Sequence, residues 1–361
     1  MAKQHRFDPL AGLRSPDDPE FDLLLAGQVF FDITFTGLDQ LPRPGTEVWT
    51  DGMGSSPGGI ANQAIAAARL GLHTTLAAAF SDDGYGQFNW DILKDQEHVD
   101  LSRSQVFKNW HSPVTVSLSV ERDRSLVTHG HAPPLSASEL IGVPPSCRAA
   151  IVSVGGELEP WAAAATANGT RLYGDVGWDP HGEWAPQVLT TLGHFYAFMP
   201  NDVEAMAYTR TEDPWAALYA LADHVPVAVV TVGQQGAMAI DSLTGEEEWV
   251  PALPVTAFDP TGAGDCFGAA FVMADLAGFS LADRLSFANL CASLSVQEVG
   301  GSLAAPGWGD IADWWHRTSS TRDGVRRQWV RRYGFLEHLV SDVPVEAVRR
   351  ASATIARHSD A

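Results

Sequence analysis

The chain is short of several things at once. Its three cysteines, Cys147, Cys266 and Cys291, show no metal-ligand spacing and cannot all pair. A cysteine zinc module and a disulfide framework are therefore not expected, and reduced thiols in a cytoplasmic protein are the simplest reading. No apolar run reaches about 18 residues, so no membrane span is expected. Residues 1–20 are polar and contain proline, with no apolar signal core, and read as a flexible N-terminal lead-in. Positive charge is scarce. The 23 Lys and Arg face 44 Asp and Glu, a net charge of −21, which argues against a nucleic-acid partner. Two nucleotide signatures are missing as well. No glycine run ends in Gly-Lys-Ser or Gly-Lys-Thr, as a P-loop would. The first apolar strand leads to Gly27-Gln28-Val29, without the G-x-G-x-x-G and later acid of a dinucleotide-dependent oxidoreductase.

What is present is an apolar fraction of 45% in 361 residues, enough for one large α/β domain. Short apolar strands alternate with alanine-rich helices, which predicts a sandwich around a mostly parallel sheet. Residues 21–34 read as a buried strand ending near Gly27, and 75–80, 151–154, 171–176 and 227–232 read as others. Residues 35–57, rich in Gly, Pro, Thr and Asp, read as a hairpin excursion, and 114–120 alternate like a half-exposed strand. The domain is expected over 21–318. Residues 319–361 hold eight arginines against five acidic residues. They read as a basic, helical C-terminal extension that docks on the acidic body or a second subunit, or else as a solvated tail.

One stretch carries chemistry. Residues 258–271 read Phe-Asp-Pro-Thr-Gly-Ala-Gly-Asp-Cys-Phe-Gly-Ala-Ala-Phe. Pro260 cannot extend a central strand, Gly262 and Gly264 permit a tight turn, and the small and apolar residues beyond suit a buried helix. A glycine-lined helix start attracts anions and lets a phosphate touch the backbone. Asp265 at that point suits proton acceptance from an attacking hydroxyl better than anion binding. The bland alternative is a glycine turn with a capping Asp.

This run resembles the second signature of the ribokinase-like (PfkB) carbohydrate kinase family, D-[TP]-x-G-A-G-D-x-F, with every fixed position present. Gly58-Gly59-Ile60-Ala61-Asn62-Gln63-Ala64 resembles the first, a glycine pair followed by Asn and Ala at the start of a helix that stops at Gly71. The likeness runs over about residues 22–305. Residues 81–86 also resemble a family segment, with Ser81 where glycine is usual.

The resemblance implies a three-layer α/β/α sandwich with a small β lid from about 35–57 and 113–132. It implies phosphoryl transfer from MgATP to a hydroxyl of a small sugar, with Asp265 as general base and the N–H groups of Gly262, Ala263 and Gly264 as anion hole. Asp32, Gly58, Gly59, Asn62 and Glu157 would hold the sugar. Asn201 and Glu204, as N-x-x-E, would handle Mg2+ through water and the ATP phosphates. Thr231, Gly233 and Gly236 would turn over the nucleotide, and Asn289 would meet the adenine. Asp259, Thr261, Gly300 and Ser302 match a monovalent cation site, potassium in the family. A homodimer through the lid or the extension is also expected.

Other readings stay open. A nucleoside acceptor is the nearest rival, with Phe30, Phe31, Phe35 and Trp110 available to stack on a base. An inactive sugar-binding regulator is another. Asn201 and Glu204 have the spacing of a capping box, Asp175 and Asp179 stand either as ligands or as turn caps, and Asn62 sits in what could be a plain core helix. His129 and His131 lack further ligands nearby in sequence, so no metal site is expected there.

Overall fold

Leu23, Leu24 and Leu25 are each 0% exposed, which requires a strand covered on both faces. The computed structural model describes residues 6–50, 52–120, 123–177, 179, 182–320 and 327–350. Residues 1–5 of the lead-in, 51, 121 and 122 of the expected lid, and 321–326 and 351–361 of the extension lie outside the described residues.

The strands are β1 (Phe21–Ala26), β2 (Val29–Leu38), β3 (Gly52–Gly59), β4 (Thr74–Ala77), β5 (Ala79–Ser81), β6 (Gln105–Phe107), β7 (Val114–Val120), β8 (Asp123–His129), β9 (Cys147–Ser153), β10 (Arg171–Asp175), β11 (Ala197–Phe198), β12 (Val227–Thr231), β13 (Ala237–Asp241) and β14 (Glu246–Val250). The helices are α1 (Ile60–Arg69), α2 (Gly84–Asp91), α3 (Ala137–Ile141), α4 (Pro160–Ala167), α5 (Gln187–Thr191), α6 (Asp202–Thr209), α7 (Pro214–Ala222), α8 (Ala263–Leu276), α9 (Leu281–Ser295), α10 (Trp308–Ser319), α11 (Arg327–Arg332) and α12 (Leu336–Ser341).

The main sheet runs β14-β13-β12-β11-β10-β9-β1-β4, parallel from β12 through β4 and antiparallel at β13 and β14. Alternate residues of its strands feed two cores. Leu23, Leu25, Val227 and Val229 pack with α1, α8 and α9, and Leu24, Ala228 and Val230 pack with α4 to α7. These are the three layers of an α/β/α sandwich.

A second sheet, β3-β2-β7-β8, stands apart as a lid, with β2 and β7 parallel and the outer pairs antiparallel. The first apolar strand ends at Ala26, beside Gly27 as the sequence predicts, but the lid starts before the expected residue 35. Residues 21–34 are two strands in two sheets. Gly27 and Gln28 are the whole link, too short to interrupt a hydrophobic pattern that both strands share. Asp32 therefore lies within the lid, paired with Ser56 and Thr115, and the lid begins at Val29.

The lead-in also differs from its expectation. Leu10 is fully buried, Phe7 meets Trp308 edge-on at 5.1 Å, and Arg14 binds Asp22 at 2.6 and 2.7 Å and Asp8 at 2.9 Å. A polar segment is held here by ion pairs and two apolar anchors, a pattern that composition does not reveal.

Close packing positions the site. The alanines of α1 and the small residues of α8 let the two helices pack directly against each other. Arg69, 2% exposed, ends α1. It pairs with Glu97 at 2.6 and 3.0 Å and donates to the carbonyls of Leu303 and Ala305 at 2.9 and 2.6 Å. Breaking such a pair by removing one partner costs about 3–5 kcal/mol. The contact fixes α1 against the loop that follows Gly300.

Candidate active site

Gly262 precedes α8 with φ +75°, a left-handed conformation that a side chain disfavours. The turn it makes aims the first N–H groups of α8 outward. One of the expected donors is already used, since the Ala263 N–H donates to the Pro260 carbonyl at 3.2 Å. The turn hydrogen bond that shapes the loop consumes it. The N–H groups of Gly264 and Asp265 lie in the first helical turn and have no intrahelical acceptor. A Cβ added at Gly264 would meet nothing within 4 Å, so the backbone there is open to a ligand.

Asp265 is the centre of a polar cluster. Asn62 of α1 donates to its Oδ2 at 2.9 Å, joining the two glycine-rich segments across the chain. Gln63 donates to Asp175 Oδ2 at 2.7 Å, at the carboxyl end of β10. Burial pushes the Asp265 carboxyl up to about 6, against the opposing pull of Asn62, Gln63 and Arg124. Burial, then the charges of Asp265 and Glu204, push Asp175 up to about 7. Burial also raises Asp32 to about 7; Asp259 and Asp265 add to this, while the Thr115 hydroxyl and Arg124 oppose it. Three largely buried carboxylates thus share one desolvated place and resist ionising together.

Gly58 is a condition of that arrangement. A Cβ built on it would stand 1.9 Å from Asp32 Oδ2. The glycine expected to admit a ligand first of all admits Asp32. Asn62 Oδ1, Gln63 Oε1 and Thr261 Oγ1 are buried without a hydrogen-bond partner, as unfilled ligand positions would be.

Asp259, 1% exposed, accepts from the N–H groups of Thr261 and Gly300 at 2.9 and 3.3 Å. Among the described residues no Lys or Arg forms an ion pair with it. Ser302 Oγ donates to the Pro57 carbonyl, tying this loop to β3. A buried carboxylate beside the orphaned Thr261 hydroxyl fits a small cation with oxygen ligands.

At the neighbouring strand ends, Asn201 follows β11 and bridges to Thr231 of β12. Asn201 and Glu204 form a reciprocal capping box with both bonds at 2.9 Å. Burial raises Glu204 nonetheless, and its charge reaches Asp175, so the N-terminus of α6 faces the same cluster. Gly233 is exposed in the following turn, and Gly236 lies under the Val250 carbonyl, where a Cβ would stand 2.0 Å away.

The last two expected residues stand as follows. Asn289, 5% exposed, donates to the Val250 carbonyl at 2.9 Å and so fastens α9 to β14. Glu157 is exposed on the loop after β9. Three residues join the site that were not assigned to it. Asp175 had a signal, its place at a strand end, which was left open. Gln63 had one in its adjacency to Asn62. Arg124 of β8 had none, because only lid pairing brings it near Asp32 and Asp265.

A three-layer sandwich with a carboxylate at a glycine-lined helix start, beside a β lid, suits phosphoryl transfer to a hydroxyl, and the family match makes the chain a phosphotransferase with an alcohol group as acceptor. The chain belongs to the pfkB family of carbohydrate kinases, whose sequence pattern matches residues 32–307. It is 29% identical over 316 residues to the ribokinase of Bacillus subtilis strain 168, covering 79% of this chain and 96% of that one. It is 27% identical over 302 residues to a nucleoside kinase of Methanothermobacter thermautotrophicus, covering 80% and 94%. Among solved structures, Arabidopsis thaliana ribokinase complexed with ribose and ATP matches with a TM-score of 0.66 at 23% identity, over 80% of this chain and 96% of that one. Adenosine kinase from Sinorhizobium meliloti matches with a TM-score of 0.63 at 21% identity, over 78% and 95%. Among the described residues no helix is long and apolar enough to cross a membrane.

Proposed function

We propose that this chain transfers the γ-phosphoryl group of ATP to a hydroxyl of a small sugar, with Asp265 accepting the hydroxyl proton. The observation that carries the reading is the Asn62–Asp265 hydrogen bond, which brings both glycine-rich segments to one carboxylate of raised pKa. Asp32, Asn62 and the backbone at Gly58 and Gly59 hold the sugar hydroxyls, since an ionised carboxylate accepts two at once. The N–H groups of Gly264 and Asp265, with Gly262, stabilise the phosphoryl oxygens, and Arg124 adds positive charge from the lid. Magnesium, held through water by Asn201 and Glu204, would supply neutralisation of the phosphate charge.

The sugar reading stands ahead of the nucleoside one on one point. Phe31 is 2% exposed and packed against Tyr85 and Phe88 at 4.6 and 5.1 Å, so it is occupied as lid packing. An ADP-release assay over sugars and nucleosides, run on the wild type and Asp265→Asn, tests the reading. A sugar should give the highest kcat/KM, and Asp265→Asn should lower kcat at least about 100-fold while ATP still binds. Near-normal turnover by the folded variant would remove Asp265 as the base.

Potassium is proposed at Asp259, Thr261, Gly300 and Ser302, on the strength of the buried carboxylate and the orphaned hydroxyl. Replacing potassium by tetramethylammonium at constant ionic strength should slow turnover. Equal rates in the two salts would withdraw the site.

A further inference from the structure

His129 and His131 alone gave no reason to expect a metal, for want of a third ligand. The fold supplies it. His111, on the segment leading into β7, comes beside both, and one ligand nitrogen from each ring lies within 4.8 Å of the others. The rings of His111 and His129 stack at 5.3 Å, and that of His131 stands edge-on to them at 4.6 and 5.3 Å.

The backbone beneath these rings is fixed from several sides. Ser112 bonds Asp83 through its N–H and hydroxyl at 2.8 and 2.9 Å, and Ser81 Oγ donates to the Trp110 carbonyl at 2.5 Å. Trp110 Nε1 donates to the Ala132 carbonyl at 3.1 Å, Val114 pairs with His129, and Gln28 holds the His131 carbonyl at 3.3 Å. All three side chains are exposed, so small rotations of the rings cost little. Tetrahedral zinc holds imidazole nitrogens at about 2.0–2.1 Å, which those rotations can reach.

We propose that His111, His129 and His131 form a binding site for a borderline divalent transition metal, zinc being the type. Three neutral imidazoles without a carboxylate suit Zn2+, Ni2+ or Cu2+ rather than Mg2+ or K+, which take oxygen ligands. The fourth position faces solvent and takes water. The site is independent of the kinase reading. Its place gives it a mechanical consequence. It joins the chain entering β7 to the chain leaving β8, so the bound ion fastens the root of the hairpin that carries Thr115 and Arg124.

The test uses tag-free protein, dialysed against chelator and titrated calorimetrically with ZnCl2 at pH 7.5. One site with a dissociation constant on the order of 10 µM or tighter is expected, together with a higher thermal midpoint. His111→Ala, His129→Ala and His131→Ala should each weaken binding at least about tenfold with unchanged circular dichroism. Co2+ should give the intense visible bands of a tetrahedral site, absent in the variants. A 100-fold excess of Mg2+ should not compete. Absence of saturable binding, binding that survives all three substitutions, or displacement by Mg2+ would each overturn the proposal.

Discussion

At the residue scale, Asp265 resolves a conflict between two effects. A helix N-terminus favours the ionised carboxylate and lowers its proton affinity, whereas burial does the reverse. Burial wins, placing the group at about 6, which is useful for a base at neutral pH. In its proposed role as base Asp265 must be ionised, and it loses that state as pH falls through its pKa. We therefore expect kcat/KM to be level above about pH 7 and to fall on the acid side with an apparent pKa near 6. The value belongs to the coupled set of Asp265, Asp175 and Asp32. A profile flat from pH 5 to 8 would exclude a base of this kind. The same raised values mean that the folded chain binds protons the unfolded chain would release. These carboxylates thus destabilise the fold at neutral pH and cease to do so as pH falls toward the unfolded value near 4. Asp265→Asn removes one such charge, so its lost turnover should not come with a lower thermal midpoint.

At the element scale, the two helices that build the site were the most legible parts of the sequence. Glycine-rich starts followed by alanine and phenylalanine announce α1 and α8, and both begin within a few residues of the expected places. The end of β1 near Gly27 was legible, but the start of the lid at Val29 was not. A strand buried in a sheet and a strand half-buried in a lid present the same apolar run, and two residues suffice to pass from one to the other. Roles that depend on contacts across the fold were hidden for a similar reason. Nothing local marks Asn289 as a fastener for β14, Arg124 as a neighbour of Asp265, or His111 as a companion of His129. Gly58 in β3 offers a direct test of lid geometry. Gly58→Ala forces Asp32 out of its place, so KM for the sugar should rise about 10–100-fold, the cost of a lost charge-assisted hydrogen bond. KM for MgATP should be unchanged. Equal effects on both substrates would show that the substitution disturbs the fold instead.

At the scale of the whole molecule, the basic C-terminal segment is proposed to be an integral part of the domain. Tyr333 and Leu336 are fully buried, Phe335 meets Phe279 at 5.3 Å, and Trp315 Nε1 donates to Glu337 at 2.6 Å. Arg350 closes the segment on the body through Asp310 at 3.1 Å and the Leu294 carbonyl at 2.9 Å. Ending the chain at Thr318 should lower the thermal midpoint by roughly 5–10 °C, given about 1.5–3 kcal/mol per fully buried large side chain. An unchanged midpoint in differential scanning calorimetry would make the segment an appendage.

The crowded carboxylates also decide what the molecule exchanges with its surroundings when it binds. Burial and repulsion from neighbouring carboxylates raise Asp32 and Asp175 to about 7, so in the ligand-free protein they hold protons far more readily than free carboxylates do. On the proposed reading, sugar hydroxyls and cations favour the ionised forms, so occupancy is expected to expel protons into the buffer. The heat of binding then includes the buffer's own heat of protonation, and affinity for the acceptor becomes a function of how acidic its surroundings are.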